Sequence, residues 1–246
     1  DTFRYFRFIS IFKKLILRGL LDLQEQYLRE LKKLFWENSL NPDEYQLERL
    51  AHFAHLVTQK NTKLNLISRR DVLQIIESHI FISSYIAEFL PNKISKFLDI
   101  GTGGGFPGIP LAITRPAMRG VLVDSTSKKI EAVKEFISKL KLNNIIAENS
   151  RVESEEFKQK YSDSFDLVLS RATVPLIILL RYSLPLIKEK AYIATIKGGD
   201  LIDEFKTAEL KYKAHIKKST VFELSYKPTN ARNEKGKKLI LLEINK

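Results

Sequence analysis

The glycine-rich stretch at residues 97–108, which reads FLDIGTGGGFPG, constrains the fold of this chain more than any other. A short apolar run ends beside Asp99, a turn holding five of the chain's ten glycines follows, and the next residues are apolar like the start of a buried helix. Glycine lacks a Cβ atom, so such a turn can adopt positive φ angles and approach a ligand closely. Strand, glycine turn and helix in this order indicate a cofactor site at the carboxyl end of a strand in an open α/β sheet.

From residue 96 onward, apolar segments of strand length alternate with helical segments. The predicted strands cover residues 97–100, 120–124, 144–148, 166–170 and 191–196, and a hairpin pair follows at 220–226 and 238–244. A helix is expected at 126–142 and a buried helix at 174–187. This order predicts an α/β fold with a mainly parallel sheet and an antiparallel edge.

The residues before the sheet are predicted to be helical. Apolar spacing indicates a helix at 23–37, a second that Asn41 caps with Pro42 in its first turn, and a third that Ser68 caps and Pro91 ends. We therefore divide the chain into a helical region at 1–92 and a sheet domain at 93–246. Residues 1–20 form a lead-in of uncertain role, and the lysines in its apolar run disfavour a targeting segment.

Composition narrows the classes of function. The formal net charge is +12 and the isoelectric point is about 9.6, which favours a polyanionic partner such as nucleic acid, or a membrane surface. The chain has no cysteine, which excludes a disulfide framework, a thiolate zinc site and a cysteine nucleophile. This usage fits a reducing, cytosolic setting.

The glycine turn departs from the dinucleotide-binding fingerprint. Pro107 stands where a dinucleotide site needs a free N–H group aimed at a phosphate, and the carboxylate of Asp99 would repel a pyrophosphate. S-adenosylmethionine carries no phosphate and presents an ammonium group, which an acidic residue beside the turn would favour. Asp124, at the end of the second predicted strand, is placed to accept hydrogen bonds from ribose hydroxyls, a role that would serve either cofactor. Together these residues favour S-adenosylmethionine over a dinucleotide.

The sequence around this turn resembles the signature of the RsmG (GidB) family. Beyond residues 99–111, motifs matching the family follow in order and cover roughly residues 21–245: NxxxNL at 61–66, SHI at 78–80, VDS at 123–125, SRVE at 150–153, SRA at 170–172 and IKG at 196–198. The resemblance implies a Rossmann-like class I S-adenosylmethionine-dependent methyltransferase fold with a seven-stranded, mainly parallel sheet. It also implies methylation of guanine N7 in 16S rRNA, with the rRNA or the small ribosomal subunit as partner.

Carried over position by position, the resemblance implies cofactor contacts at Gly101, Phe106, Val152, Glu153 and Arg171, with Asp124, Ser125 and Thr126 beside the ribose. Asp99 and Gly103 join the predicted cofactor-binding residues because they belong to the glycine turn. The predicted RNA-binding residues are Arg171, Lys197, Lys237 and His79, which we expect near the carboxyl ends of the strands. Arg171 also suits a carboxylate, and two other roles stay open for His79: packing over the mouth of the cofactor site and hydrogen bonding in the core. We expect no general base, because guanine N7 has an available lone pair at neutral pH and needs no deprotonation. We also expect no metal, no membrane association, a cytoplasmic location and a monomer.

Other basic residues and histidines are weaker candidates. The wider candidate RNA surface comprises Lys60, Lys63, Arg69, Arg70, Lys197, Lys227, Arg232, Lys235, Lys237 and Lys238. The family tends to carry an arginine near the start of the last strand, where this chain has Lys237 and Lys238. His52 and His55 have metal-like spacing on one helix, but no third ligand is evident, so we expect them to be surface histidines. Two alternatives stay open: a nicotinamide-dependent oxidoreductase, and a non-catalytic RNA-binding module with a vestigial cofactor pocket.

Overall fold

The computed structural model describes residues 23–171, 174–199, 201–227 and 236–246. The predicted lead-in at 1–20 and two of the predicted basic residues, Arg232 and Lys235, lie outside these ranges. Among the described residues, no helix combines the length and the apolar character that a membrane span needs.

The front of the chain is helical, as predicted. It comprises α1 (residues 23–37), α2 (Glu44–Asn61), α3 (Arg69–Val72), a π-helix (Ile76–Phe81), α4 (Ile82–Tyr85) and a 3₁₀-helix (Ile86–Phe89). Ser68 caps α3 as expected, by accepting a hydrogen bond from the Asp71 N–H. The expected single helix up to Pro91 is wrong, because the chain turns after α3 and changes its hydrogen-bonding pattern twice before Leu90.

The predicted start of the second helix is also wrong. The N-cap of α2 is Asp43 rather than Asn41, and Asp43 forms a reciprocal capping box with Gln46. The Asp43 Oδ1 accepts from the Gln46 N–H at 2.7 Å, and the Gln46 side chain accepts from the Asp43 N–H at 3.0 Å. This arrangement satisfies two backbone donors at once.

Seven strands form one sheet in the order β3-β2-β1-β4-β5-β7-β6. The strands are β1 (Lys96–Ile100), β2 (Arg119–Asp124), β3 (Ile145–Asn149), β4 (Phe165–Arg171), β5 (Ile187–Lys197), β6 (Ile216–Glu223) and β7 (Lys238–Asn245). The first five are parallel, and β7 pairs antiparallel with both β5 and β6. The predicted mainly parallel sheet with an antiparallel edge is thereby confirmed.

The helices between the strands are α5 (Gly108–Thr114), α6 (Ser127–Lys139), α7 (Glu155–Tyr161), α8 (Leu176–Ser183) and α9 (Ile202–Tyr212). The predicted helix at 174–187 is shorter in the structure, and β5 takes its last residue. Pro185 explains the difference, because proline has no N–H group with which to continue a helix.

Alternate residues of the strands enter two different cores, as the period of a β-strand requires. On one face Phe97, Leu122 and Leu167 pack against α1, α2, α5 and α6, and on the other face Leu98 and Val168 pack against α7 and α8. The first core runs without interruption from the front helices into the sheet, across the predicted division at residue 92. The front helices therefore form one layer of a three-layer α/β fold.

Candidate active site

The candidate site lies where the direction of chain progression through the sheet reverses. From β1 the chain moves outward to β2 and β3, then returns to place β4 on the other side of β1. In open α/β sheets, such a switch point leaves a crevice at the carboxyl ends of the strands. The glycine turn begins directly after β1, at this crevice.

The glycine turn is fastened to the end of β2. The backbone N–H groups of Gly101 and Thr102 both donate to the Val123 carbonyl, at 2.9 and 3.0 Å. The Gly103 N–H donates to Asp124 Oδ2 at 3.0 Å. Gly101 and Gly103 have φ angles of +68° and +56°, a conformation that residues with a Cβ atom rarely adopt. The turn and the carboxylate of Asp124 therefore form one unit.

Asp99 lies beneath this turn with none of its surface exposed. Its Oδ2 accepts hydrogen bonds from the Thr102 hydroxyl at 2.8 Å and from the Gly108 N–H at 2.9 Å, whereas Oδ1 is buried and has no partner among the residues that the structure describes. Burial raises the pKa of this carboxyl to about 7, although both hydrogen bonds oppose the shift. Asp99 thus ties the start of α5 to β1, and the expected contact with a cofactor ammonium group stays a prediction.

A cleft of about 240 Å³ opens beside the turn. Five of the predicted cofactor residues line it: Gly101, Asp124, Ser125, Val152 and Glu153. Its walls are otherwise formed by Ile100, Val123, Ser150, Arg151, Val174 and Tyr182. Carboxylates and apolar walls together suit a ligand with a polar sugar and a flat apolar ring.

Thr126 directly follows Ser125, which lines the cleft, and is the N-cap of α6. Its N–H donates to Asp124 Oδ1 at 2.9 Å, so both oxygens of Asp124 already hold backbone groups. A carboxylate oxygen has two lone pairs, and each oxygen therefore keeps acceptor capacity for a ligand hydroxyl.

Phe106 occupies a different place from the cleft residues. Its ring packs between Phe53 and His79, with ring centroids 5.0 Å apart in each case, and it is only 5% exposed. It does not line the 240 Å³ cleft, and its expected role of covering the cofactor stays a prediction.

Three of the four predicted RNA-binding residues meet around one carbonyl. Arg171, at the end of β4, donates from Nη2 to the Ser78 carbonyl at 2.7 Å, and the Lys237 Nζ donates to the same oxygen at 3.3 Å. His79 follows in the chain, and its Nε2 lies 3.3 Å from Asp71 Oδ2. We call these five residues the Ser78 cluster. Ser78 belongs to the π-helix, a conformation that is common at functional sites.

The Ser78 cluster concentrates positive charge in a poorly solvated place. Burial lowers the pKa of His79 to about 3, Arg171 lowers it further, and Asp71 opposes the shift. Burial and then Arg171 lower the pKa of Lys237 to about 8, and burial lowers the pKa of Arg171 to about 10. At neutral pH, His79 is therefore uncharged while Arg171 and most Lys237 side chains are cationic. This arrangement favours a nearby anionic group.

Lys197, the fourth predicted RNA-binding residue, is not part of the Ser78 cluster. Its ammonium group donates to Glu204 Oε1 at 2.6 Å and to the Val174 carbonyl at 2.9 Å. The same Glu204 oxygen accepts from the Leu176 N–H, which fastens the start of α8. The observed contacts of Lys197 are internal, and its contact with RNA stays a prediction.

The expectation of two surface histidines is wrong for one of the pair. His55 is 7% exposed and its Nδ1 has no hydrogen-bond partner among the described residues, whereas His52 is half-buried. Burial lowers the pKa of both imidazoles. Among the described residues, no group of three or more histidine, aspartate or glutamate side chains could hold a metal ion.

Two residues outside the predicted site, Asn61 and Leu66, also help to shape it. The Asn61 side chain accepts from the Leu66 and Ile67 N–H groups and donates to the Ile67 carbonyl, which shapes the connection between α2 and α3. Leu66 lies against the glycine turn, and its Cβ is 3.2 Å from the position of a Cβ atom added to Gly104. The NxxxNL motif at 61–66 was the available signal for this role.

Solved structures share the architecture at low sequence identity. A SAM-dependent methyltransferase from Aquifex aeolicus has a TM-score of 0.52 and 17% identity, over 76% of this chain and 98% of that chain. A predicted O-methyltransferase from Agrobacterium tumefaciens has a TM-score of 0.55 and 11% identity, over 68% of this chain and 80% of that chain. These similarities confirm the Rossmann-like class I methyltransferase fold.

Similarity to curated proteins is much stronger. The chain is 40% identical over 190 residues to a protein of Chlorobium luteolum, covering 77% of this chain and 78% of the relative. It is 44% identical over 173 residues to a protein of Chlorobaculum tepidum, covering 69% of this chain and 76% of the relative. Both relatives are named ribosomal RNA small subunit methyltransferase G. The sequence model of the GidB family, described as rRNA small subunit methyltransferase G, matches residues 46–232. The chain therefore belongs to the GidB family of rRNA small subunit methyltransferases, as the residues of its glycine turn indicated.

Proposed function

We propose that this protein transfers the methyl group of S-adenosylmethionine to N7 of a guanine in the 16S rRNA of the small ribosomal subunit. One observation carries the proposal: in a chain of the GidB family, the glycine turn and Asp124 form one hydrogen-bonded unit that borders a cleft at the switch point of the sheet. Solved methyltransferases share this fold.

The residues of the cleft fit the proposed cofactor. The free acceptor capacity of Asp124 suits the ribose hydroxyls, and Val152 and Ile100 offer apolar surface for the adenine ring. Ser125, Thr126 and Glu153 complete the proposed ribose and adenine contacts, and Gly101 and Gly103 allow close approach of the backbone. When bound, S-adenosylmethionine supplies an electrophilic methyl group.

In this reaction the protein acts mainly by positioning the guanine base against the methyl group. Guanine N7 has a lone pair at neutral pH, so no side chain needs to remove a proton before attack. Rate enhancement then depends on holding the base in line with the methyl group and on electrostatics that suit the moving charge. Arg171 and Lys237 of the Ser78 cluster would hold the RNA backbone near this point, because both are cationic at neutral pH.

Methyl transfer to RNA tests the proposal directly. The protein would be incubated with labelled S-adenosylmethionine and either 16S rRNA or small subunits that lack the modification, and the RNA would then be digested to nucleosides. We expect label in 7-methylguanosine, and at least a tenfold higher KM for S-adenosylmethionine with Asp124→Ala. Glu131→Ala, a substitution of an exposed carboxylate on α6, is the matched control.

Two results would contradict the proposal. Tight binding of a nicotinamide dinucleotide in calorimetry, without binding of S-adenosylmethionine, would indicate an oxidoreductase. RNA binding without methyl transfer by the intact protein would indicate a non-catalytic module. The comparison of free rRNA with subunits also identifies which of them is the substrate.

The proposal extends to the organisation of the protein. We place the methyltransferase domain at 93–246 with the helical region at 1–92 in front of it, and we expect a cytoplasmic monomer that does not associate with membranes. Light scattering coupled to gel filtration would test the monomer, for which the expected mass is 28.4 kDa.

A further inference from the structure

Four of the eight basic residues of the candidate RNA surface that the structure describes are engaged within the protein. Lys60 pairs with Glu135, Lys197 with Glu204 and Lys238 with Glu223, and Lys237 donates to the Ser78 carbonyl. Lys63, Arg69, Arg70 and Lys227 differ, because they are exposed and form no ion pair within the described part of the chain. Of these, Lys63 lies on the connection from α2 to α3, and Arg69 and Arg70 are the first two residues of α3.

This connection carries two adjoining depressions. One has a volume of about 470 Å³ and is lined by Thr58, Asn61, Thr62, Lys63, Asn65, Arg69 and Val72. The other has a volume of about 400 Å³ and is lined by Asn65, Leu66, Ile67, Ser68 and Arg69. Asn65 and Arg69 border both, so the two form one groove, which we call the 58–72 groove. Each depression is within the size range of ligand pockets, about 300–1,000 Å³.

Two asparagines in the groove have different surroundings. The Asn61 amide holds the backbone of Leu66 and Ile67 through two hydrogen bonds that its oxygen accepts and one that its nitrogen donates. The Asn65 side chain is exposed, and none of the residues in the described ranges forms a hydrogen bond with it. An amide offers both donors and an acceptor, the combination that reads the edge of an unpaired base.

The 58–72 groove adjoins the candidate active site. Leu66, which lines one depression, contacts the glycine turn at Gly104. On its other side Ser68 caps α3, and Asp71 in that helix lies 3.3 Å from His79 of the Ser78 cluster. RNA lying in the groove would thus lie beside both the turn and the cluster.

We propose that the 58–72 groove seats the unpaired nucleotides that flank the target guanine. Lys63, Arg69 and Arg70 neutralise phosphates of this segment, and Asn65 hydrogen-bonds a base edge or a 2′-hydroxyl. The inference rests on the proposed function, since it assigns a place to the RNA substrate of that reaction. The groove suits single-stranded RNA because it combines cations that follow a backbone with a free amide, and sequence-specific recognition of RNA mostly targets unpaired segments.

A charge-removal experiment tests the inference. The triple variant Lys63→Gln, Arg69→Gln, Arg70→Gln is compared with a control that loses the same charge at exposed lysines near the opposite end of the sheet: Lys190→Gln, Lys213→Gln, Lys218→Gln. Affinity for a 16S rRNA fragment that contains the target is measured as a function of salt. For the groove variant we expect at least tenfold weaker binding and a slope of log affinity against log salt that is smaller by about 2, at roughly 0.7 per lost phosphate contact. The affinity for S-adenosylmethionine should change less than twofold in both variants.

A second variant separates recognition of a base or 2′-hydroxyl by Asn65 from the neutralisation of phosphates. Asn65→Ala should raise the KM for RNA at least fivefold without changing the salt slope, while Asn143→Ala, an exposed asparagine before β3 and outside the groove, should leave KM unchanged.

The outcomes separate this inference from the proposed function. If the wild-type protein methylates rRNA but the groove variant binds RNA like the control, or if both variants weaken binding equally, the inference about the groove is wrong and the proposed function stands. If the groove variant loses affinity for the assembled subunit but not for free rRNA, the groove contacts a ribosomal protein and the inference is again wrong. If the wild-type protein produces no 7-methylguanosine, the proposed function itself fails.

Discussion

The buried carboxyl of Asp99 gives the protein a pH-dependent stability that one substitution should remove. Burial raises its folded-state pKa to about 7, compared with an ordinary value of 3.8. Between these values the folded protein keeps a proton that the unfolded chain releases, so the free energy of unfolding falls as the pH rises. The contribution is fully present below about pH 3.8 and is lost progressively as the pH rises to about 7.

The magnitude follows from the shift. Between about pH 5.5 and 8, a group with a folded-state pKa of about 7 changes the free energy of unfolding by about 2 kcal/mol. Asp99→Asn cannot titrate, so its free energy of unfolding minus that of the wild type should rise by about 2 kcal/mol over this range. The amide also leaves a buried N–H group without a partner, which adds a penalty that does not depend on pH.

Urea denaturation at several pH values measures this difference. His79, whose pKa is lowered to about 3, changes stability in the opposite direction below pH 6.5, but it is present in both proteins and cancels. Asp166→Asn is the matched control. Hydrogen bonds and Lys188 lower the pKa of Asp166 although burial opposes them, so it is ionised in both states and its penalty should be constant. A constant difference for Asp99→Asn as well would refute the reasoning.

Three further outcomes can be checked with simple measurements. Gly108→Ala should destabilise the protein by about 1–3 kcal/mol, because an added Cβ would lie 2.7 Å from the carboxylate beneath the turn; Gly104→Ala, where the nearest atom to an added Cβ is the Leu66 Cβ at 3.2 Å, should cost less in the same urea assay. The imidazole of His79 should stay neutral from about pH 5 to 8 in an NMR titration, since its pKa is lowered to about 3, and a midpoint near 6.5 would contradict its burial. Lys197→Gln should lower the free energy of unfolding by about 1–3 kcal/mol by leaving Glu204 without its ammonium partner, and unchanged stability would contradict the internal role.

The sheet and the glycine turn could be predicted from sequence because both depend on local patterns. Each strand near the site is a short apolar run that begins within a few residues of its predicted start, and the turn needs glycines at positions of positive φ. The predictions agreed least with the structure where tertiary contacts determine the backbone conformation. The break of the helix before Pro91 into a π-helix leaves the Ser78 carbonyl to accept from Arg171 and Lys237, which are far away in sequence.

The chemical roles of individual residues were harder to predict than their positions. Asp99 was correctly placed beside the turn, but its complete burial depends on Thr102 and Gly108 folding over it, which no spacing reveals. Lys197 was predicted to contact RNA from its place at the end of a strand. Its engagement with Glu204 depends on how α9 packs, and that is a property of the assembled fold.

The continuous core beneath the site sets how the two substrates can meet. Phe53 of α2 packs on Phe106 beside the glycine turn, and Leu66 at the groove packs on Gly104. A hinge between the helical layer and the sheet would have to separate these buried contacts and expose their apolar surface to water. The spacing between the groove and the cofactor cleft is therefore set when the chain folds. Selectivity for the target guanine then depends on whether the RNA can adopt a shape that spans this fixed distance.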